Sequence, residues 1–198
     1  YLVIPQEDME RLTPLVRMII NLVLAKLATG MEFKDGQQVK KKQRCLLMLD
    51  EFPAFGAINS MEKGLAYIAG YGLKAMIIVQ SQKQLFKCYT KDNSILDNCH
   101  IRVFYGPNDD ETPSLISKIL GKKTIKSYSV SKKDSLLSTD SRSESEIGRE
   151  LMTPEEVSKL PKDKELVFMT GDPPVYGNKL FYYKEKFFRE RTFDPPEE

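Results

Sequence analysis

The chain is short of the residues from which disulfide-stapled and zinc-bound domains are built. It has three cysteines, Cys45, Cys88 and Cys99, odd in number and far apart. No disulfide framework follows, so a reducing compartment is the setting they fit. The single histidine, His100, stands beside Cys99, and no paired cysteine spacing accompanies it. Zinc sites draw on several such ligands at set spacings, so a structural role for this pair is the expectation. Net charge is also scarce: thirty basic against twenty-eight acidic residues leave +2. That balance does not mark a nucleic-acid binder, and any such claim rests on local charge. Long apolar runs are missing too. The longest apolar region, Leu12 to Ala28, is interrupted by Arg17, Asn21 and Lys26, which makes it too short and too charged to span a bilayer. No signal peptide is present and Tyr1 is not a native start, so the chain reads as a piece of a larger protein.

What is there is ordinary for a globular core: 198 residues, 41% hydrophobic and 29% charged, enough for one domain with a substantial interior. Tyr1 to Ile4 reads as a short strand. Apolar residues from Leu12 to Leu27 recur at helical spacing, and Gly30 is a favourable stop. The wide apolar face of that helix predicts deep packing against a sheet. Residues 31–44 read as an exposed loop. Cys45 to Leu49 and Lys74 to Val79 read as buried strands, with helices over about 58–69 and 81–89 following them. Ile101 to Tyr105 reads as a third strand, and a helix opens after Asp109-Asp-Glu111 and ends at Gly121. That succession implies an α/β fold with a mostly parallel sheet covered by helices. Residues 127–147 are serine-rich and read as a mobile loop or a weak hairpin. Thr153-Pro-Glu-Glu156 has the form of a capped helix start. Leu166 to Thr170 and Leu180 to Tyr183 read as an antiparallel edge pair, and 194–198 as a disordered tail.

The chemistry concentrates at strand ends. Five apolar residues, Cys45 to Leu49, stop abruptly at Asp50 and Glu51. In open α/β folds, ligands sit at the carboxyl ends of parallel strands. Two carboxylates there have the form of a Walker B pair. Asp50 would hold Mg²⁺ through water, and Glu51 would orient or deprotonate an attacking water. The next strand ends at Gln80, whose carboxamide would bond both that water and a phosphate and so couple nucleotide state to movement of the next element. The third ends near Asn108 and Asp109. Taken alone, an apolar run before Asp-Glu could equally be a strand end leading into a helix cap.

Longer motifs narrow the choice. Leu-Asp-Glu-Phe-Pro-Ala-Phe-Gly (49–56), Gln-Ser-Gln-Lys-Gln-Leu (80–85), Gly-Pro-Asn-Asp-Asp-Glu-Thr (106–112) and Leu-Met-Thr-Pro-Glu-Glu-Val (151–157) follow one another in order. Together they resemble the TraG-type coupling proteins of conjugation and type IV secretion, from Tyr1 to about Phe188. The resemblance implies a RecA-like P-loop ATPase, membrane-anchored and homohexameric, on the cytoplasmic side of the bacterial inner membrane. It implies a protein that brings relaxase-bound single-stranded DNA to the secretion channel components and pumps it with ATP and Mg²⁺. Asp50 and Glu51 match the Walker B positions, and Gln80 matches the motif after the following strand.

Two departures from the pattern matter. No Gly-x-x-x-x-Gly-Lys-[Ser/Thr] occurs, so the phosphate-cradling loop is absent. Residues 1–193 then correspond to the second half of the motor domain, which alone is expected to be soluble, inactive and a poor binder of ATP and Mg²⁺. Some relatives also carry a candidate arginine finger where this chain has Ala69. Lys122, Lys123 and Lys126 belong to a run without acidic residues and are candidate DNA contacts. Tyr182, Tyr183, Phe187, Phe188 and Phe193 form an aromatic cluster that either covers the sheet edge or docks another part of the protein. The competing readings are an FtsK- or HerA-like DNA translocase and a non-hydrolysing docking platform for secretion substrates.

Overall fold

The computed structural model describes residues 1–30, 33–34, 37–38, 44–131 and 141–193. They form two compact units, Tyr1–His100 and Ile101–Glu198. Most of the expected loop over 31–44 and the tail 194–198 lie outside the described residues.

The first unit opens without the expected strand. Tyr1, Leu2 and Val3 are exposed coil, since a strand exists only where a ladder partner takes its N–H and C=O groups. Helix α1 (Met9–Leu27) follows, with Pro14 near its start. Val16 and Leu24 are buried, whereas Leu15, Met18 and Leu22 are exposed, so only part of its apolar face is covered. The strands β1 (Phe33–Lys34) and β2 (Gln37–Gln38) make a two-residue antiparallel pair within the expected loop. Strand β3 (Cys45–Leu49) pairs in parallel with β4 (Leu73–Ile77), in register from Cys45 opposite Leu73 to Leu49 opposite Ile77. Between them lie a 3-10 turn, Phe52–Phe55, the short helix α2 (Asn59–Gly64) and a second 3-10 turn, Ile68–Tyr71. Gly72 closes that turn at φ 77°, a left-handed value that suits glycine. Helix α3 (Gln82–Tyr89) starts at Ser81, whose hydroxyl accepts from the Gln84 N–H. A turn of helix α4 (Ile95–Asn98) ends the unit.

Strand β3 is apolar throughout and β4 is apolar except for the exposed Lys74, close to what a covered parallel pair requires. Their burial nevertheless alternates. Leu49, Leu73 and the residues in step with them face a core made with Leu24, Phe52, Ile58, Met61, Leu85, Tyr89 and Ile95. Leu46, Met48, Met76 and Ile78 lie exposed on the other face.

The second unit corrects the expectation of a third parallel strand. Strand β5 (Ile101–Phe104) pairs antiparallel with β8 (Lys164–Met169), and β8 pairs antiparallel with β9 (Val175–Asn178). The expected edge pair is therefore present, but its outer strand is Val175–Asn178 and not Leu180–Tyr183. Between β5 and β8 lie α5 (Thr112–Leu120), the strands β6 (Lys122–Ser131) and β7 (Ser141–Glu150), and α6 (Pro154–Ser158). β6 and β7 form a ten-pair antiparallel ladder. The hairpin alternative thus replaces the loop across 127–131 and 141–147, because alternating serines satisfy strand periodicity without a hydrophobic face. Thr153 and Glu156 cap α6 reciprocally, as the sequence predicts. The core here is Ile116, Val157, Leu160 and Leu166. A last turn of helix, α7 (Lys186–Arg189), lies near the C-terminus. No helix among the described residues is long and apolar enough to cross a membrane.

Phe52 has no exposed surface, and its ring stacks on Tyr89 at 5.4 Å between centroids and 12° between planes. Phe52→Ala should therefore cost about 3–5 kcal/mol, read as a lower urea midpoint with an unchanged slope.

Candidate nucleotide site

The parallel ladder brings the ends of β3 and β4 to one edge. The Ile78 N–H donates to the Leu49 carbonyl at 3.0 Å, and the Phe52 N–H donates to the Ile78 carbonyl at 3.1 Å. Asp50 and Glu51 are held between those two bonds, both exposed. The Glu51 N–H donates to Asp50 Oδ1 at 3.0 Å. Gln80 Nε2 donates to Glu51 Oε1, so the expected acid and the expected sensor meet directly. Gln84 Nε2 in turn reaches Gln80 Oε1 at 3.4 Å. One carboxamide thus orients the carboxylate while a second orients the first.

Glu51 adopts a left-handed backbone, φ 46° and ψ 42°, unusual for a residue with a Cβ. Such a conformation costs about 1–3 kcal/mol and persists where the surroundings over-determine it. The turn that follows is held from three sides. Arg17 Nε on α1 donates to the Phe55 carbonyl at 2.6 Å. Cys88 Sγ donates to the Pro53 carbonyl at 3.3 Å. The Tyr89 hydroxyl donates to the Gly56 carbonyl at 3.3 Å and accepts from the Ile58 N–H at 2.8 Å. Gly56 sits at φ 65°, and a Cβ there would collide with the Arg17 guanidinium. Sequence reasoning did not assign Arg17, Cys88 or Tyr89 to the site. The available signal was Arg17 itself, a charge beside Val16 within an apolar helical period.

The other candidates belong to the second unit. Asp109 Oδ1 accepts from the N–H groups of Glu111 and Thr112 at 3.0 and 2.8 Å, which makes it a cap for α5. Lys122, Lys123 and Lys126 are exposed on β6, and the ladder sets them opposite Glu150, Arg149 and Glu146. The acid-free run of the sequence therefore acquires carboxylates from the facing strand. Arg149 also pairs with Glu156 at 2.8 Å.

Residues 1–196 match the family model described as Type IV secretory system Conjugative DNA transfer. The chain belongs to this family. It is 35% identical over 215 residues to the conjugal transfer protein TraG of Escherichia coli, covering 98% of this chain and 34% of that protein. With the protein VirD4 of Agrobacterium fabrum the identity is 32% over 196 residues, covering 98% of this chain and 28% of that one. The chain thus spans about a third of the length of the curated relatives it matches. The fold is that of the bacterial conjugative coupling protein TrwB, with a TM-score of 0.69 at 20% identity over 88% of this chain and 39% of that one. A TrwB structure in complex with ADP and Mg²⁺ gives 0.68 at 19% identity, covering 88% of this chain and 38% of that one. The α/β class expected from the strand order stands, and so does the RecA-like fold that the family resemblance implied.

Burial, the largest cause, pushes the Tyr89 hydroxyl from 10.0 up to about 12, with the Ile58 N–H opposing it. A pKa raised on folding means a contribution that is whole below pH 10 and is lost as pH climbs through about 12. The thermal midpoint should fall across that window, and Tyr89→Phe should flatten part of the fall in a pH series of melts.

Proposed function

We propose that residues 1–193 are the second half of the RecA-like motor domain of an ATP-driven coupling protein. That protein recruits relaxase-bound single-stranded DNA, or protein substrates, to a type IV secretion channel and pumps DNA. The observation that carries the reading is the meeting of Glu51 and Gln80 at the carboxyl ends of parallel strands, in a chain of this family. In this reading the whole protein is a homohexamer anchored in the bacterial inner membrane with its motor on the cytoplasmic side.

The residues present fit one side of an ATP–Mg²⁺ site. Asp50 offers a hard carboxylate oxygen suited to Mg²⁺ through water, and it already accepts the Glu51 N–H. Bound Mg²⁺–ATP would supply a polarised phosphoanhydride there. Glu51 then orients a water, or accepts its proton at the carboxylate, and Gln80 keeps that carboxylate aligned. The phosphate-cradling lysine has no counterpart in this sequence, so complete turnover requires residues from elsewhere in the full-length protein.

In the full-length protein, Glu51→Gln should lower ATP turnover by about 100-fold or more while nucleotide affinity stays within about twofold. Turnover at the wild-type rate would remove Glu51 as the base. Gln80→Ala should abolish stimulation of turnover by DNA, and unchanged stimulation would count against a sensor.

Lys122, Lys123 and Lys126 are proposed to touch the phosphate backbone. Their joint replacement by Gln should make single-strand affinity less salt-dependent, reducing the log–log slope by about 0.7 for each phosphate that is no longer neutralised. An unchanged slope would place these lysines away from the strand.

A further inference from the structure

Helix α3 opens on a sequence that it does not use in the ordinary way. Ser81-Gln-Lys-Gln84 has the form of a capping box, in which the N-cap hydroxyl takes the N–H three residues on and that residue's side chain returns to the N-cap N–H. At α6 both bonds form: the Glu156 N–H donates to Thr153 Oγ1 at 3.3 Å, and Glu156 Oε2 accepts from the Thr153 N–H at 2.8 Å. At α3 the Gln84 N–H donates to Ser81 Oγ at 3.4 Å, but the Gln84 side chain turns to Gln80 and its Nε2 donates to Gln80 Oε1 at 3.4 Å. A glutamate at this position would cap at least as well and would suit the positive end of the helix. A glutamine can do one thing that a glutamate carboxylate cannot, which is donate.

The direction of that bond follows from the chemistry of its neighbours. Glu51, as a carboxylate, only accepts, so the end of the Gln80 amide that meets it is Nε2. The other end, Oε1, then requires a donor, and Gln84 supplies one. Gln80 Nε2 carries two hydrogens: Glu51 takes one, and the second suits another acceptor, such as a phosphate oxygen. Turned end for end, the amide would set Oε1 against the carboxylate and against any phosphate, and would repel both. Gln80 and Glu51 are exposed, so packing does not hold the amide in place and a hydrogen-bond partner must. Gln84 stands on a firm base for that role. Leu85 beside it is 2% exposed, and Tyr89 at the far end of α3 stacks on Phe52, the residue after Glu51.

We propose that Gln84 is a positioning residue for ATP hydrolysis: it holds the Gln80 amide in the one orientation that donates both to Glu51 and to a γ-phosphate. It acts through Gln80 and not on the reacting atoms. The inference deepens the motor reading above and rests on Glu51 as the residue that handles the attacking water.

The test uses the full-length protein with Gln84→Glu, Gln84→Met or Gln84→Lys. Three quantities are read: kcat for ATP, the affinities of a fluorescent non-hydrolysable ATP analogue and of the matching ADP, and the melting midpoint without nucleotide. Gln84→Glu completes the capping box, so its midpoint should equal or exceed that of the wild type. Its kcat should nevertheless fall by about tenfold and the analogue should bind about tenfold more weakly, with ADP affinity held within about twofold. Gln84→Met, which lacks the donor, should lose kcat and analogue affinity in the same sense. Gln84→Lys, which donates, should stay within about threefold of wild type in both. Wild-type kcat and analogue affinity in Gln84→Glu overturn the proposal. So does equal loss in the lysine and methionine variants, which would make position 84 sensitive to any change. A lowered midpoint in Gln84→Glu also overturns it, since the role would then be structural, and so does a parallel shift in analogue and ADP affinity, which would reduce the effect to charge. Glu51→Gln keeps the two readings apart. If that variant turns over ATP at the wild-type rate, both fall; if it is inactive while the Gln84 series matches wild type, only the role of Gln84 falls.

Discussion

The parallel register of β3 and β4 is the constraint on which the candidate site depends. Parallel strands end on the same side, so two segments far apart in the chain deliver their polar ends together. With Leu49 opposite Ile77, Asp50, Glu51 and Gln80 emerge at one edge. A one-residue slip would turn every side chain of one strand to the opposite face and separate Glu51 from Gln80. The burial of Leu49 and Leu73 on the same face as Phe52 sets the register that the carboxylate requires. Packing and chemistry are thus decided by the same alternation.

The turn after the strand converts that placement into orientation. Glu51 is held left-handed by bonds that come from a distance: Arg17 from the preceding helix, Cys88 and Tyr89 from the following one. Those side chains bind backbone carbonyls of residues 53, 55 and 56, and none touches the carboxylate. The stacking of Phe52 on Tyr89 closes the arrangement from below. Strain at one residue is balanced by ordinary hydrogen bonds and one aromatic contact spread over three elements.

Much of this was legible in the sequence because local rules and the fold agree. Cys45–Leu49, the helix over about 81–89, the Thr153–Glu156 capping box and the ends of α5 follow from apolar runs and capping chemistry. The meeting of Glu51 with Gln80 was legible from strand spacing. What escaped depends on partners remote in the chain. Tyr1–Ile4 has strand composition, but composition supplies no ladder partner. β5 has the apolar pattern of a parallel strand, yet its partner β8 lies well downstream and runs the other way. Serines at every second position carry no hydrophobic signal, so the hairpin stood only as the alternative to a mobile loop. Arg17 was hidden for the same reason, since its partner carbonyl is thirty-eight residues away.

The β6–β7 ladder has a consequence for how the hairpin finds its pairing. Ser127, Ser129 and Ser131 stand opposite Ser145, Ser143 and Ser141. Sliding one strand by two residues in either direction still leaves two serine–serine pairs, so the serines alone fix the alignment only weakly. The choice falls to Ile125 opposite Ile147, Lys122 opposite Glu150 and Lys126 opposite Glu146. Those three pairs act as a vernier near the base of the hairpin, and the serine stretch largely follows the alignment they set.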